Sequence, residues 1–302
     1  VVLGGGTGLS VLLQGLKKFP LDITAIVSVC DNGSSTGKLR EEFKTPAVGD
    51  IRRVLISLSE TEPLVEKLFN YRFSTYSDLN GHAVGNLILT AAKEITGNLS
   101  DGIEALSKVF NLKGKVVPLT EDNVTLMAEM KDKTIVEGEK EISLSPKKIK
   151  KVFYKEAPVI TPEAIKVIKN ADAIILSMGS IFTSIIPNLI NKEIIDAIDE
   201  SNAKIIYVSN MVTQPGETDN FKVSDHVNLL NSYLGKRKVD VVLANNKKID
   251  KNILEKYQTS EQKDQVLLDK ENLKDITVIE DNYFIIDNGM VSHDALKVAF
   301  NI

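Results

Sequence analysis

Gly4-Gly5-Gly6-Thr7-Gly8 follows the apolar residues Val1–Leu3 and precedes Leu9, Leu12, Leu13 and Leu16, which recur at helical spacing. That order is strand, turn, helix. Glycine lets the backbone approach a ligand with no Cβ in the way, and the start of a helix aims free N–H groups at an anion. A tight structural turn is the plain alternative, but this density of glycine, with a threonine inside it, exceeds what a turn requires. Gly5, Gly6, Thr7 and Gly8 are therefore the candidate phosphate cradle. The dinucleotide fingerprint G-x-G-x-x-G is not met, because Leu9 stands where its third glycine belongs. That argues against a nicotinamide cofactor.

The rest of the chain repeats the opening pattern. Ile23–Cys30 is a continuous apolar run of the kind buried on both faces of a sheet, and Ala173–Ser177, Lys204–Asn210 and Val239–Asn246 are similar runs. Each precedes a loop and a helix candidate, which predicts a parallel sheet covered on both faces. Helical spacing also marks segments near Asp50–Leu58, Ala83–Ile95 and Ile103–Phe110. Thr125–Met130 and Thr134–Glu137, separated by Lys131-Asp132-Lys133, read as a hairpin. The expected fold is α/β: a Rossmann-like, mostly parallel sheet covered by helices, one domain over 1–302 with a small β-rich subdomain inserted at 113–157.

Composition narrows the partners. The 302 residues carry 37 Lys plus Arg against 41 Asp plus Glu, a formal charge of -4, so no excess positive field exists to recruit nucleic acid. The basic run at Lys147, Lys148, Lys150 and Lys151 reads as a solvated face. A single cysteine, Cys30, excludes an internal disulfide and points to a reducing, cytoplasmic setting, with the thiol as a small buried strand residue. Three histidines without an H-x-x-x-H pair give no zinc site. No apolar stretch is long enough to span a bilayer and no basic-then-apolar leader is visible, so no membrane insertion is expected. The numbering opens at Val1 inside an apolar run, so the first strand is expected to extend beyond it.

Further candidates lie at strand ends, where open α/β sheets bind ligands. Asp31 could accept from a sugar hydroxyl or hold a divalent cation, magnesium above all. Asn32, Ser34 and Ser35 follow it in a polar Gly/Ser-rich segment reaching Gly37. Gly33–Lys38 imitates a P-loop but has too few residues between its glycines, and Leu39 replaces the Ser or Thr that meets magnesium. Asp50 reads as the cap of its own helix, and Arg52 as either a phosphate clamp or a surface ion pair. His82 and Asn86 open another helix, His82 being equally readable as a ligand contact or a satisfied helix-start residue. Gly179 and Ser180 follow one strand, and Asn210, Thr213 and Gln214 another. No G-x-S-x-G elbow supports serine hydrolysis.

Taken together, GGGTG at Gly4–Gly8, DNGSSTGKLR at Asp31–Arg40, GDIR at Gly49–Arg52, GHAVGN at Gly81–Asn86, SIFTSIIPNL at Ser180–Leu189 and SNMVTQPGET at Ser209–Thr218 resemble the gluconeogenesis factor family (YvcK-like). That family shares a superfamily with the phospholactate transferase CofD, and the resemblance spans nearly the whole chain. It implies a homodimer and a UDP-sugar ligand such as UDP-N-acetylglucosamine. It also implies a regulatory role in carbon flow and cell-envelope synthesis during gluconeogenic growth, exerted through a protein partner the sequence does not name. The transferase cousins imply instead a nucleoside diphosphate leaving group, magnesium and a deazaflavin alcohol as acceptor; no catalytic residue is assigned, Asp31 and Asp50 being the candidates to hold the magnesium in that case. Carried onto this chain, the resemblance makes Gly5–Gly8 the cradle, sets the Asp31–Ser35 loop against it, and gives Tyr257 a base or sugar contact. Two departures stand out: Met178 replaces the usual proline, and Ser292 stands where an arginine is usual.

Overall fold

In a computed structural model, which describes residues 1–60, 63–287 and 290–302, the strands in chain order are β1 (Val2–Gly4), β2 (Thr24–Val27), β3 (Lys115–Pro118), β4 (Leu126–Met130), β5 (Ile135–Glu137), β6 (Ile149–Tyr154), β7 (Ala173–Leu176), β8 (Lys204–Val208), β9 (Val241–Asn245), β10 (Thr277–Asp281), β11 (Phe284–Asp287) and β12 (Met290–His293). The α-helices are α1 (Gly6–Leu16), α2 (Ser34–Phe43), α3 (Gly49–Leu58), α4 (Pro63–Asn70), α5 (Val84–Thr96), α6 (Leu99–Val109), α7 (Glu139–Leu144), α8 (Pro162–Lys169), α9 (Lys192–Glu200), α10 (Val223–Tyr233), α11 (Lys251–Glu261) and α12 (Ala295–Asn301).

Seven strands form one sheet in the order β10-β9-β8-β7-β1-β2-β3, and every neighbouring pair is parallel. The chain winds outward from β1 to β3 on one side and from β7 to β10 on the other. The order reverses between β1 and β7, and the crevice above their carboxyl ends is where an open α/β sheet takes a ligand. Leu3 pairs with Ile26 on one side and Leu176 on the other, and all three are fully buried. The apolar stripe read from Leu9, Leu12, Leu13 and Leu16 is the buried face of α1. Enclosing each such leucine stabilises the fold by roughly 1.5–3 kcal/mol relative to leaving it in water.

The small sheet is antiparallel, ordered β5-β4-β6, with the expected turn at Lys131–Lys133. The segment 113–157 is not wholly part of it. β3 runs parallel to β2 as the edge of the large sheet, so the small sheet begins only with β4. The short run Lys115–Pro118 could not reveal this, since pairing with β2 is a long-range contact. The lysine run faces outward, and three of its members are paired: Lys147 with Asp132 at 2.8 Å, and Lys150 and Lys151 with Glu129 at 2.7 and 3.4 Å. Among the described residues no helix is long and apolar enough to cross a membrane.

Candidate functional site

α1 begins above the β1/β7 crevice. Its N-cap is Gly5, which has no side chain to satisfy the first-turn N–H groups that every helix leaves unpaired. Gly6 has φ +64°, in the left-handed region that favours glycine, and a Cβ there would meet nothing nearer than Ser184 Oγ at 3.7 Å. Its Cα therefore faces open space. Gly8 serves another purpose: a Cβ would lie 2.0 Å from the Met178 carbonyl oxygen, so its missing side chain lets α1 press against the backbone after β7. Thr7 between them is exposed. Gly5, Gly6 and Thr7 border the crevice, while Gly8 is explained by packing.

Asp50 does not cap its own helix; Val48 is the N-cap of α3. Its buried carboxylate instead accepts the Gly6 N–H and forms an ion pair with Arg53 at 3.0 Å. Burial, with Asp31 nearby, raises its pKa above the usual carboxylate range, while Arg53 and the Gly6 amide oppose that rise. Asp31 accepts the Gly33 N–H through Oδ1 at 2.8 Å, and its Oδ2 lies 2.9 Å from where a Gly49 Cβ would be. The two acids read from separate motifs thus meet beside the glycine turn.

The polar segment after β2 is not a loop throughout, because Ser34 starts α2 at φ 43°. Ser34 is exposed, whereas buried Ser35 joins a network with α5. The Asn86 amide donates to Ser35 Oγ at 3.1 Å, and the hydroxyl meets His82 Nδ1 at 3.1 Å. His82 is 7 % exposed, and burial together with the Lys38 charge lowers its pKa. Arg52 is not exposed, and among the described residues it forms no ion pair. It is 4 % exposed, donates through Nη1 to Asn70, and keeps Nε buried without a partner among the described residues. Burial and the neighbouring Arg53 and Arg72 lower its pKa to about 10.

On the opposite rim the polar residues mostly brace one another. Asn210 grips Gly179 from both sides, accepting its N–H at 3.0 Å and donating to its carbonyl at 2.7 Å. Ser180 donates to buried Glu217 at 2.6 Å and caps the π-helical turn Ile181–Ile185 by accepting the Thr183 N–H at 3.0 Å. Thr213 Oγ1 accepts the Asp264 N–H at 2.9 Å, and Gln214 keeps a buried Oε1 without a partner among the described residues. Tyr257 is 7 % exposed and its hydroxyl accepts the Val291 N–H at 2.8 Å, so its polar atom holds β12 in place. His293, on β12, meets the Ser209 carbonyl through Nε2 at 3.0 Å.

Comparison with known proteins shows the family and the fold. The sequence profile of the family described as 2-phospho-L-lactate transferase CofD matches residues 1–284. The protein named gluconeogenesis factor in Bacillus subtilis is 46 % identical over 99 % of this chain and 95 % of its own length. Its counterpart of the same name in Halalkalibacterium halodurans is 43 % identical over 99 % of this chain and 94 % of its own length. The chain belongs to the gluconeogenesis factor family, within the CofD-like superfamily. A crystal structure of a UPF0052 family member from Bacillus halodurans superposes with a TM-score of 0.96 at 42 % identity, covering 100 % of this chain and 98 % of that one.

In this member of the gluconeogenesis factor family a third acid, Glu139, reaches the same crevice, and no sequence signal marks it. It comes from α7 beside the small sheet, which Asn32 tethers: the Asn32 amide donates to Glu141 at 2.7 Å and accepts the Lys140 N–H at 2.8 Å. Asn32 is thus occupied as a brace. Glu139 bonds to Thr183, and burial, then the charge of Asp31, pushes its pKa up to about 7. Among the described residues no three His, Cys, Asp or Glu side chains are placed to hold a metal together. A magnesium ion here would be held by Asp31 and Asp50, with water and ligand phosphate completing its shell. Such an ion would neutralise charge building on a phosphate.

Proposed function

We propose that this protein binds a nucleotide-sugar, UDP-N-acetylglucosamine being the representative, with its diphosphate at the start of α1. It acts as a cytoplasmic regulator of carbon flow and cell-envelope synthesis, as a homodimer, and leaves the ligand intact. One observation carries the binding reading: Gly6, its Cα facing open space, begins α1 at the point where the strand order reverses, with its own N–H taken by Asp50 and no cap supplied by the N-cap residue Gly5. The naming of two relatives as gluconeogenesis factors supports the physiological role. The test is calorimetry with UDP-N-acetylglucosamine on wild type and Gly6→Ala, followed by analysis of the recovered ligand. Saturable binding, loss in the variant and intact ligand are expected. Equal affinity in the two proteins would remove the turn from the site.

The approach of Asp31 and Asp50 beside the same turn favours a second reading, a magnesium-dependent transferase acting on a nucleoside diphosphate donor. Catalysis would then rest on positioning and on neutralising phosphate charge. Release of a nucleoside diphosphate that requires magnesium and disappears in Asp31→Asn would establish this reading over the first.

A further inference from the structure

A cavity of about 180 Å³ lies where the small sheet meets α10 and the chain that leads into it. Ile149 at the start of β6, Phe182 in the π-helical turn and Leu229 on α10 give it an apolar wall. Charged residues border the rest: Lys131 and Lys148 from the small sheet's turn and the start of β6, Glu217 and Asp219 from the segment before α10. None of Gly5, Gly6, Thr7, Asp31 or Asp50 lines it. A cavity of about 150 Å³ accepts benzene, so this volume has room for a molecule of about eight non-hydrogen atoms.

These four charged residues are not paired with one another. Lys147, Lys150 and Lys151 all have acidic partners, whereas Lys131 and Lys148 have none among the described residues. Glu217 is 7 % exposed, and no cation stands beside it: Oε2 accepts from Ser180 Oγ at 2.6 Å and from the Phe182 N–H at 3.4 Å, while Oε1 has no partner among the described residues. Burial accordingly raises its pKa. Asp219 spends Oδ2 on the Gly216 N–H at 3.0 Å and leaves Oδ1 without a partner among the described residues. A buried carboxyl with no counter-ion is costly to ionise, and a bound cation offsets that cost. We propose that this cavity binds a small α-amino acid with a short apolar side chain, its ammonium at Glu217 and Asp219 and its carboxylate at Lys131 and Lys148. The side chain then packs on Phe182, Ile149 and Leu229. A zwitterion satisfies both ends of the cavity, which a simple anion or a simple cation does not. The inference is independent of what the β1/β7 crevice binds.

The experiment is calorimetry with L-valine, isovalerate and isobutylamine, the last two being valine without its ammonium and valine without its carboxylate. Wild type is compared with the double variant Lys131→Gln/Lys148→Gln and with Glu217→Gln, which keeps an acceptor for Ser180 and Phe182. Valine should bind wild type about tenfold or more tightly than either analogue, one hydrogen bond to a charged group being worth that much. The lysine variant, altered only at exposed positions, should lose about tenfold for valine and keep isobutylamine within about twofold of wild type. Glu217→Gln should weaken valine and isobutylamine and spare isovalerate. If Glu217→Gln does not fold, the lysine variant decides alone. Failure of valine to bind saturably overturns the site, as does an affinity for valine no greater than for the two analogues. Valine binding that is unchanged in the lysine variant places the amino acid elsewhere and also overturns it.

Discussion

Replacing Gly8 by alanine places a methyl carbon 2.0 Å from the Met178 carbonyl oxygen and 2.6 Å from its carbon. Neither atom can swing aside as a side chain would. Met178 is 2 % exposed, and the next residue, Gly179, is clamped on both its N–H and C=O by Asn210. Overpacking of this kind costs about 1–3 kcal/mol, and a backbone-to-backbone clash belongs at the upper end. Alanine recovers about 1 kcal/mol of helix propensity, so a net loss of about 2 kcal/mol is expected. Gly6→Ala is the control, with its nearest neighbour at 3.7 Å and a cost limited to about 1 kcal/mol for its φ of +64°. Urea denaturation of both variants, with unchanged slopes, reads the two losses directly. If Gly8→Ala were as stable as wild type, or lost less than Gly6→Ala, α1 would not press on the strand end in the manner described.

Desolvation of the half-buried His293 lowers its pKa from 6.5 to about 4, so an unfolded chain takes up a proton that the folded one does not. Stability is then full above pH 6.5 and falls as pH drops towards 4, by about 2 kcal/mol given partial exposure of the residue; His293→Gln should flatten this slope in acid denaturation. Asn210→Ala leaves both polar groups of Gly179 without their partner and should cost about 1–3 kcal/mol in denaturant unfolding. Asn32→Ala should speed amide exchange across Glu139–Leu144 with under about 2 kcal/mol of global loss; unchanged exchange there would mean the tether does not hold α7.

Where contacts are local, the sequence displayed them. The runs at Ala173–Ser177, Lys204–Asn210 and Val239–Asn246 became β7, β8 and β9, shortened at their ends, and the leucine stripe after Gly8 became the buried face of α1. Less regular pieces escaped notice. β10 reads Thr-Val-Ile-Glu-Asp, half polar because it is an edge strand, and β11–β12 is a hairpin outside the large sheet. At the site, residue type was informative but role was not. Asp50 carries the right chemistry for a cap, yet it serves α1 from α3, an exchange between helices that one-dimensional spacing cannot display. Asn32 looked like a ligand donor because asparagine in a strand-end loop commonly is one; its amide is spent on α7. Glu139 arrives only because that tether exists.

The most direct test follows the backbone amides of Gly5, Gly6 and Thr7 by ¹⁵N NMR during titration with UDP-N-acetylglucosamine. An oxyanion resting on the start of α1 should move these three signals furthest in the protein. Saturable binding that shifts signals elsewhere and leaves these three in place would contradict the account.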